Sequence, residues 1–397
     1  MCVAQFPKLS ETFILSQIKY LLENNHDVKI VAKKSANEGK VQPIVKELNM
    51  LEKTIYINGK INLVNILKEL PLKGLIKVLF DLEIISFKSK LKTIHRLVKL
   101  KNKLEEIDVM HCHFGDIAND FIQLKKIYKF PLIVSFHGND VLQALKKNKS
   151  IYRNVFKYAT VITANSNYTA SVLKKYGCPE NKIEILPMGI ETKNFEFKPR
   201  KLKGTQINIT SVGRMVEKKG YEYGIKAMKQ VVKQFPEVHY TIAGDGPLRA
   251  ELEELITENN LDENITLLGN VTHENIKAIL NDTHIFLFPS VTAGNGDEEG
   301  QGVVLLEAQA SGIPIISTFH DGIPESVIEG ESAFLAPERD EFYLANKIEK
   351  CIDLNESWIR MGEAGRKHVE NKFEMNKLGS ELSEVYKKSI MLNDNEV

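Results

Sequence analysis

Short runs rich in β-branched residues alternate with amphipathic helical stretches along both halves of this chain. A strand, a helix and a second strand in succession require a right-handed crossover, which makes the two strands parallel. Near-continuous apolar strands suit a sheet that helices cover on both faces. The alternation therefore predicts an α/β fold with doubly wound, Rossmann-like parallel sheets. The expected strands lie at 27–32, 108–114, 131–136, 160–165, 182–187, 207–213, 239–244, 265–269, 285–290, 313–318 and 333–336, and the clearest helices at 13–25, 168–177, 222–235 and 247–260.

The length of 397 residues is comfortable for two domains of about 180 to 200 residues each. The stretch 190–206 is polar, lacks periodicity and carries a proline and a glycine, so we place the boundary there. We expect an N-terminal domain at 1–195, a C-terminal domain at 196–372, and a final helix at 373–397 that returns to the N-terminal domain. Two such domains would face each other across a central cleft, with ligands at the C-terminal ends of the strands.

The composition excludes several classes of protein. The chain is 43% apolar and 26% charged, which is typical of a globular protein. No stretch reaches the roughly 18 consecutive apolar residues that a membrane-spanning helix needs, and the N-terminus lacks the pattern of a secretory signal. The cysteines are too far apart for a disulfide framework or a structural zinc site, so we expect a cytoplasmic protein. These cysteines are Cys2, Cys112, Cys178 and Cys351.

The formal net charge of +1 hides a strong asymmetry. Residues 1–200 hold 33 basic and 19 acidic side chains, whereas residues 201–397 hold 20 basic and 33 acidic ones. A basic half indicates an anionic ligand or surface. The alternative is that a lysine-rich genome decorates solvated faces. No nucleic acid partner is expected.

The segment 60–103 is the most basic part of the chain, with eleven Lys or Arg and three acidic residues among bulky apolar side chains. A basic amphipathic helix of this kind can lie on an anionic bilayer. The alternative is an ordinary helix packed on the first domain. We expect contact with an anionic membrane surface, and hence a peripheral location on the inner face of the plasma membrane.

The strongest motif is the segment 291–318, which reads VTAGNGDEEGQGVVLLEAQASGIPIIST. A glycine-rich acidic loop here follows a strand and opens a helix near Gly302. Glu299 lies in the loop just before the helix, and Glu307 lies in its second turn. Acidic residues that merely cap the helix dipole would explain one carboxylate. They leave Glu307 and four loop glycines unexplained, which favours a ligand site.

The start of that helix offers backbone N–H groups, because the first turn of a helix has no internal acceptors for them. With the help of the helix dipole, such groups can hold a phosphate. The N–H groups belong to Gly302, Val303 and Val304.

A second motif is SVGRMVEKKGYEYGIKA at 211–227. Arg214, Lys218 and Lys219 follow the end of a strand in an otherwise acidic half. Arginine forms forked contacts with phosphate and lysine provides a mobile charge, so a diphosphate explains them best. The loop around Gly246, in the sequence Gly-Asp-Gly-Pro, is also consistent with a nucleotide site, but alone it is a weak signal.

The first half places histidines at strand ends. His137 and Asp140 follow one strand, where a lone histidine is often structural but a cleft position favours a functional role. His111 and His113 share a face of another strand, which makes His113 a candidate for acceptor contact. A zinc site would need further ligands that the sequence does not offer, so no metal is expected. Ser10 is a candidate N-cap of a helix in a loop expected to overhang the cleft, with Glu11 beside it.

These motifs together resemble those of the retaining glycosyltransferases of family 4, which have the GT-B fold. The resemblance rests on Gly-Arg-x5-Gly, Gly-Asp-Gly-Pro and Glu-x7-Glu in the second half. It also rests on PKLSETFILSQI, HCHFG and FHGNDV in the first half, which resemble the branch of colanic acid and related exopolysaccharide enzymes. It covers nearly the whole chain.

The resemblance implies roles for individual residues of the second half. Arg214 and Lys219 would hold the donor diphosphate, with Lys219 stabilising the leaving nucleotide. Glu307 would bind the ribose hydroxyls and Glu299 the transferred sugar. The remaining donor contacts implied are the N–H groups of Gly302, Val303 and Val304, the loop at Gly246, and Asn270 and Val271 near the base.

On the first-domain side, the resemblance puts His137 near the sugar, so the catalytic set is His137, Glu299, Lys219 and Arg214. These enzymes need no metal, because cationic side chains and a helix N-terminus take its place. The resemblance implies attack by the acceptor on the same face as the leaving nucleotide. Two departures stand out: many relatives carry proline at the position of Gly302, and many carry a Gly-Gly loop where this chain has FPKLSET.

The leading hypothesis is a hexosyltransferase that moves a hexose from a UDP- or GDP-sugar onto a lipid-linked or oligosaccharide acceptor in bacterial surface polysaccharide synthesis. One alternative is a nucleotide-sugar epimerase of GT-B architecture, which would need no acceptor. Another is a non-catalytic protein that binds nucleotide-sugars or glycans.

Overall fold

The computed structural model describes residues 1–8, 11–36, 41–58, 76, 78 and 87–394. The chain divides into two compact units. The first comprises the described residues within Met1–Asn165, Ala170–Leu186 and Gly379–Val397, and the second comprises Ser166–Thr169 and Pro187–Leu378. Each unit contains its own parallel sheet.

The first unit is built on seven strands. They lie in the order β3-β2-β1-β4-β5-β6-β7, and every neighbouring pair is parallel. The order reverses between β1 and β4, which makes that pair the switch point of the sheet. The strands are β1 (Cys2–Phe6), β2 (Ile30–Ser35), β3 (Thr54–Tyr56), β4 (Met110–His113), β5 (Leu132–Phe136), β6 (Val161–Ala164) and β7 (Ile183–Ile185).

Helices connect the strands of the first unit. Apolar side chains such as Phe13, Ile18 and Phe121 are buried along these helices, as expected of amphipathic helices in a domain. The helices are α1 (Thr12–Glu23), α2 (Pro43–Glu47), α3 (Phe87–Leu104), α4 (Gly115–Tyr128), α5 (Asn139–Lys147), α6 (Arg153–Tyr158) and α7 (Asn167–Lys175), of which α7 begins in the second unit.

The second unit is built on six parallel strands in the order β10-β9-β8-β11-β12-β13. Its switch point lies between β8 and β11. The strands are β8 (Ile207–Val212), β9 (Val238–Ala243), β10 (Ile265–Gly269), β11 (Ile285–Phe288), β12 (Ile315–Thr318) and β13 (Ala333–Ala336). The helices are α8 (Tyr221–Gln234), α9 (Arg249–Glu258), α10 (His273–Asn281), α11 (Val303–Ala310), α12 (Ile323–Ser326), α13 (Glu341–Asp353), α14 (Trp358–Lys372) and α15 (Met375–Asp394).

The apolar strand β11 lies at the centre of the second sheet, and all four of its residues are buried. Ile285 and Leu287 pack into the cluster that includes Trp358, whereas Phe286 and Phe288 pack into the cluster that includes Leu305. Alternate side chains thus enter the cores on opposite faces of the sheet, which is why the sequence of β11 is apolar throughout.

The predicted fold class is confirmed, because both sheets are parallel and doubly wound. The boundary between the two units after Leu186 lies nine residues before the boundary expected at 195. The final helix α15 starts in the second unit, and from Gly379 onwards it belongs to the first. All four cysteines are buried and free.

Most of the basic segment 60–103 lies outside the described residues, which are 76, 78 and the continuous stretch from 87. The described part forms α3, and its apolar side chains Ile94, Leu97 and Leu100 are buried in the first unit. Lys92 and Lys99 are exposed on the same helix. None of the helices in the described chain has the length and apolarity needed to cross a membrane.

Candidate active site

The motif residues of the second unit converge at the switch point of its sheet. The loop after β8 carries Lys219, and the loop after β11 carries Glu299. These two strands are neighbours, so their C-terminal ends open into the same crevice although they are far apart in sequence.

The ammonium group of Lys219 lies 2.6 Å from Oε2 of Glu299 and donates a hydrogen bond to it. The same ammonium group lies 4.5 Å from the centre of the Phe288 ring. Burial raises the pKa of the Glu299 carboxyl, but the cations of Lys219 and Lys218 outweigh this effect and hold the pKa below its ordinary value. Glu299 is therefore a carboxylate at neutral pH.

A close approach of two loops fixes the position of Lys219. A short 3-10 turn at Glu217–Lys219 ends at Gly220, which adopts φ +62° and caps the start of α8. A Cβ atom at Gly220 would lie 1.9 Å from the carbonyl oxygen of Pro289. Only glycine allows this backbone conformation and this contact with the loop after β11.

Glu307 lies on α11 and is buried, with 7% of its surface exposed. Burial raises the pKa of its carboxyl to about 7, and the nearby Lys277 lowers it by a smaller amount. No side-chain hydrogen bond among the described residues involves this carboxyl group. A buried acid of this kind is costly for folding alone, which favours a role in ligand binding.

The first turn of α11 presents backbone N–H groups that have no acceptor within the helix. Gly302 precedes it with φ +77°, and no side chain of a described residue caps the helix. Proline cannot adopt this φ, so the proline of many relatives would require a different backbone here. The adjacent Gln301 is buried and exchanges two 2.8 Å hydrogen bonds with the backbone of Met188, which anchors the loop. The N–H groups of Val303 and Val304 begin the helix without an internal acceptor.

The other predicted donor residues lie at the same edge of the second sheet. Arg214 follows β8 and is exposed, with no ion pair among the described residues. The N–H of Gly246, after β9, donates to Oδ1 of Asp245 at 2.7 Å. Asn270 is exposed after β10, and Val271 is half-buried against the core.

Two further residues at this edge of the sheet, His320 and Glu338, were not predicted from the sequence. His320 follows β12 and is buried, and its Nε2 accepts a hydrogen bond from the backbone N–H of Glu299 at 3.3 Å. Glu338 follows β13 and accepts a hydrogen bond from the N–H of Thr292 at 2.6 Å. Both residues lie just after a strand, so the rule that identified Lys219 and Glu299 could have marked them as candidates, although not their contacts with the Glu299 loop.

Tyr168 was also missed. Its hydroxyl donates to Oε2 of Glu298 at 3.1 Å. Burial, Asp321 and Glu298 raise the pKa of this hydroxyl, so it stays protonated.

The histidines of the first unit form a buried cluster at the ends of β4 and β5. His111 and His113 lie side by side, with ring centres 4.4 Å apart, as expected from their alternation. Nδ1 of His113 lies 3.1 Å from Nε2 of His137, so one of these nitrogens donates to the other. His111 is held by the Tyr386 hydroxyl at 2.9 Å and by the Ser135 hydroxyl at 2.6 Å.

Burial keeps this cluster uncharged. It lowers the pKa of His137 to about 3, and it holds the pKa values of His111 and His113 well below their ordinary value. His137 therefore offers a neutral imidazole, which can donate or accept a hydrogen bond but carries no charge at neutral pH.

Of the other residues predicted on the acceptor side, the structure describes the side chain of Glu11 but not those of Ser10 and Asp140. The first residue of α1 is Thr12 and its cap residue is Glu11, so Ser10 is not the N-cap that we expected. Ser10 itself lies outside the described residues. Glu11 forms an ion pair with Lys8 at 2.7 Å. The side chain of Asp140 also lies outside the described part. Among the described residues, no group of three or more histidine, cysteine or acidic side chains could hold a metal ion.

Two protein-family models match the chain. The model described as Glycosyltransferase Family 4 matches residues 10–194, and the model described as Glycosyl transferases group 1 matches residues 192–368. The second match contains the whole Lys219–Glu299 site.

Several known proteins are similar to this chain over nearly its full length. The amylovoran biosynthesis glycosyltransferase AmsK of Erwinia amylovora is 31% identical over 396 residues, which are 96% of this chain and 97% of AmsK. WcaL of Escherichia coli, named as a colanic acid biosynthesis glycosyltransferase, is 29% identical, with coverage of 96% and 97%. The crystal structure of Anabaena HepE in complex with UDP matches with a TM-score of 0.75 at 16% identity, over 97% of this chain and 98% of HepE. The family matches, the identity with AmsK and the GT-B fold together establish that this chain belongs to the glycosyltransferases of group 1 and family 4, and that it is a glycosyltransferase.

Proposed function

We propose that this protein is a retaining hexosyltransferase of bacterial cell-surface polysaccharide synthesis. It takes a hexose from a UDP- or GDP-sugar and transfers it to a lipid-linked or oligosaccharide acceptor. The names of AmsK and WcaL support the pathway, and the UDP in HepE supports a nucleotide donor. The observation that carries the proposal is the ion pair of Lys219 and Glu299 at the switch point of the second sheet.

The donor diphosphate is negatively charged, and the second unit offers cationic side chains close to the proposed site for it. Lys219 has two further ammonium hydrogens besides the one directed to Glu299. The exposed guanidinium group of Arg214 provides a forked contact. The N–H groups at the start of α11 add the positive end of the helix dipole. These groups bind the diphosphate and stabilise the charge that develops on it as it leaves.

Glu307 is proposed to accept hydrogen bonds from the two adjacent ribose hydroxyls of the nucleotide. The donor would then relieve the cost of a buried carboxylate, because its hydroxyls replace the lost water. The base would lie along Asn270 and Val271, after β10, with contacts mainly to the backbone.

The transfer step needs no covalent intermediate on the protein. The bond between the sugar C1 and the diphosphate oxygen breaks, and the electron pair leaves with the diphosphate. The acceptor hydroxyl bonds to C1 on the same face, and its proton passes to a diphosphate oxygen. The ion pair with Lys219 supports a role for Glu299 in holding sugar hydroxyls rather than in attacking C1. The neutral His137 would add a hydrogen bond to the sugar.

Two further parts of the proposal concern conditions and location. Transfer is proposed to proceed without a metal ion, because Lys219, Arg214 and the helix N-terminus act on the leaving group.

The protein is proposed to work at the inner face of the plasma membrane, where a lipid-linked acceptor resides. Because the apolar face of α3 is buried, its contact with the bilayer would be electrostatic, through exposed lysines such as Lys92 and Lys99.

A product assay tests the proposal. The full-length protein is incubated in excess EDTA with a panel of UDP- and GDP-sugars and polyprenyl-diphosphate-linked glycans, and the products are separated and analysed by NMR. We expect an elongated glycan whose new anomeric centre has the donor's configuration. Interconversion of the donor without an acceptor would identify an epimerase instead. Donor binding without any product across the panel would identify a binding protein, and an inverted centre would contradict retention.

A further inference from the structure

The loop between β11 and α11 carries Glu299 and is rich in glycine. It contains Gly294, Gly296, Gly300 and Gly302, and glycine loses more backbone freedom on ordering than any other residue. Sugar transfer needs a carboxylate that stays in one position. Contacts from outside the loop therefore contribute to its order.

The first such contact holds the beginning of the loop. The backbone N–H of Thr292 donates to Oε2 of Glu338 at 2.6 Å, and the Thr292 hydroxyl donates to Oε1 at 3.3 Å. Glu338 follows β13, two strands away from β11 in the sheet. Arg339 adds a hydrogen bond to the carbonyl oxygen of Thr292.

The second contact holds the end of the loop at the functional residue itself. The backbone N–H of Glu299 donates to Nε2 of His320 at 3.3 Å. His320 is 2% exposed, so this imidazole cannot easily move aside. Its other nitrogen, Nδ1, lies 3.4 Å from Oε2 of Glu338, the same oxygen that accepts from Thr292.

His320 and Glu338 therefore link the two ends of the loop through one pair of side chains. Nε2 accepts from Glu299 only while it is unprotonated, and in that tautomer the hydrogen is on Nδ1, whose contact with Glu338 at 3.4 Å is electrostatic. The carboxylate of Asp321 lies 2.9 Å from Nε2 and would accept from this nitrogen if it were protonated, in competition with the contact to Glu299. Oδ2 of Asp321 is buried and has no hydrogen bond among the described residues.

We propose that His320 and Glu338 are positioning residues for sugar transfer, which hold the Glu299 loop in its reactive geometry without touching the substrate. This inference rests on the proposed function, because it requires that Glu299 contacts the transferred sugar. It predicts a specific kinetic signature. The proposed nucleotide contacts of Arg214 and Glu307 lie on other elements. Those at the start of α11 follow Gln301, which is anchored separately by the backbone of Met188. Loss of the link should therefore affect transfer far more than nucleotide binding.

The experiment compares His320→Ala with His320→Gln, since the Gln Oε1 can accept a hydrogen bond from Glu299 in place of Nε2. Glu338→Ala and Glu338→Gln form a second pair. His284→Ala is the matched control: Nδ1 of His284 also accepts from a backbone N–H, that of Asn208 at 3.0 Å, but at the opposite edge of the same sheet. For each variant, kcat and the donor KM, the Kd for UDP and GDP, and the thermal midpoint are measured.

We expect His320→Ala and Glu338→Ala to lower kcat by about 100-fold, the effect of misplacing a reacting group by roughly 1 Å. The Kd for the preferred nucleotide should stay within about threefold, and His320→Gln should recover at least about tenfold of the lost kcat. His284→Ala should lose stability but keep its kcat.

A kcat for His320→Ala that matches the wild type, or a loss no greater than that of His284→Ala, would overturn the inference. So would a nucleotide Kd that weakens in parallel with kcat. If the alanine variants do not fold, the two Gln variants decide: His320→Gln should keep at least about a tenth of kcat, and Glu338→Gln should lose part of it, each with an unchanged nucleotide Kd. The site assignment is tested separately by Glu299→Gln, whose full activity would overturn the proposed role of Glu299 rather than the link.

Discussion

The ammonium group of Lys219 and the carboxylate of Glu299 form a 2.6 Å ion pair between residues that are 80 positions apart in the chain. The two side chains are only 13% and 14% exposed. Each one holds the other in place, because a buried charge is costly without its partner. A donor that binds here meets groups that are already oriented, which is the condition for electrostatic catalysis.

The charge of Glu307 should control nucleotide affinity. Its pKa of about 7 leaves roughly one tenth of the groups ionised at pH 6. If the ribose binds the carboxylate, the Kd for the donor nucleotide-sugar should be about tenfold weaker at pH 6 than at pH 8. Isothermal titration calorimetry over this range measures the effect.

The matched variant for that titration is Glu307→Gln. It should bind the donor weakly and with nearly the same Kd at both pH values, because the amide does not titrate. A wild-type affinity that does not change between pH 6 and pH 8 would exclude the ionised carboxylate as the ribose ligand.

Glu307 should also reduce the stability of the unliganded protein. Its folded-state pKa of about 7 lies above its ordinary value of 4.5, so the folded state binds the proton more tightly. Stability from this group is present below pH 4.5 and is lost as the pH rises to 7. Glu307→Gln should therefore raise the free energy of unfolding by about 3 kcal/mol at pH 8 and by much less at pH 5. Urea denaturation at the two pH values checks the difference, and an equal effect at both would count against it.

Gly220 should tolerate no side chain. In Gly220→Ala, the new Cβ would meet the Pro289 carbonyl oxygen at 1.9 Å, in addition to the strain at φ +62°. We expect a loss of about 2–5 kcal/mol in unfolding free energy and a large fall in kcat, because Lys219 is displaced. Gly204→Ala is the control, since Gly204 has a similar φ of +79° with nothing within 4 Å of the added atom. It should cost only about 1–2 kcal/mol. Equal losses in the two variants would refute the close approach as the cause.

Membrane contact should depend on exposed lysines. The double variant Lys92→Glu/Lys99→Glu should bind anionic vesicles at least about tenfold more weakly, at roughly 1 kcal/mol per lysine. Binding of the wild type should weaken with added salt. Vesicle flotation measures both effects, with Lys201→Glu/Lys203→Glu, exposed residues of the second unit, as the control. Wild-type binding that is equal on neutral vesicles, or no binding at all, would refute the proposal.

The sequence was sufficient for the fold and for the motif residues of the second unit. The alternation of strands and helices predicts parallel sheets. Lys219 and Glu299 were expected after the C-terminal ends of strands, and Glu307 in the second turn of the helix that follows. Each of these residues lies close in sequence to a glycine-rich turn, so its position could be inferred locally. The N-cap at Ser10 was wrong because α1 starts at Thr12, one residue later than a cap at Ser10 requires.

Features that depend on the order of the strands could not be predicted in the same way. His320 and Glu338 meet Glu299 and Thr292 only because β12 and β13 lie beside β11, and no local pattern encodes that arrangement. The amphipathic pattern of α3 likewise does not say whether its apolar stripe faces a bilayer or a protein core. The structure buries Leu97 in the first unit.

The turnover of Lys219→Ala with the preferred nucleotide-sugar, in excess EDTA and with saturating acceptor, tests the central claim most directly. We predict a kcat at least about 100-fold below that of the wild type, as expected when preorganised charge is removed from a leaving group. Glu253→Gln, which breaks the half-exposed pair with Arg249 in the same unit, should leave kcat unchanged. A Lys219→Ala enzyme that turns over at the wild-type rate would contradict the assignment of this site to sugar transfer.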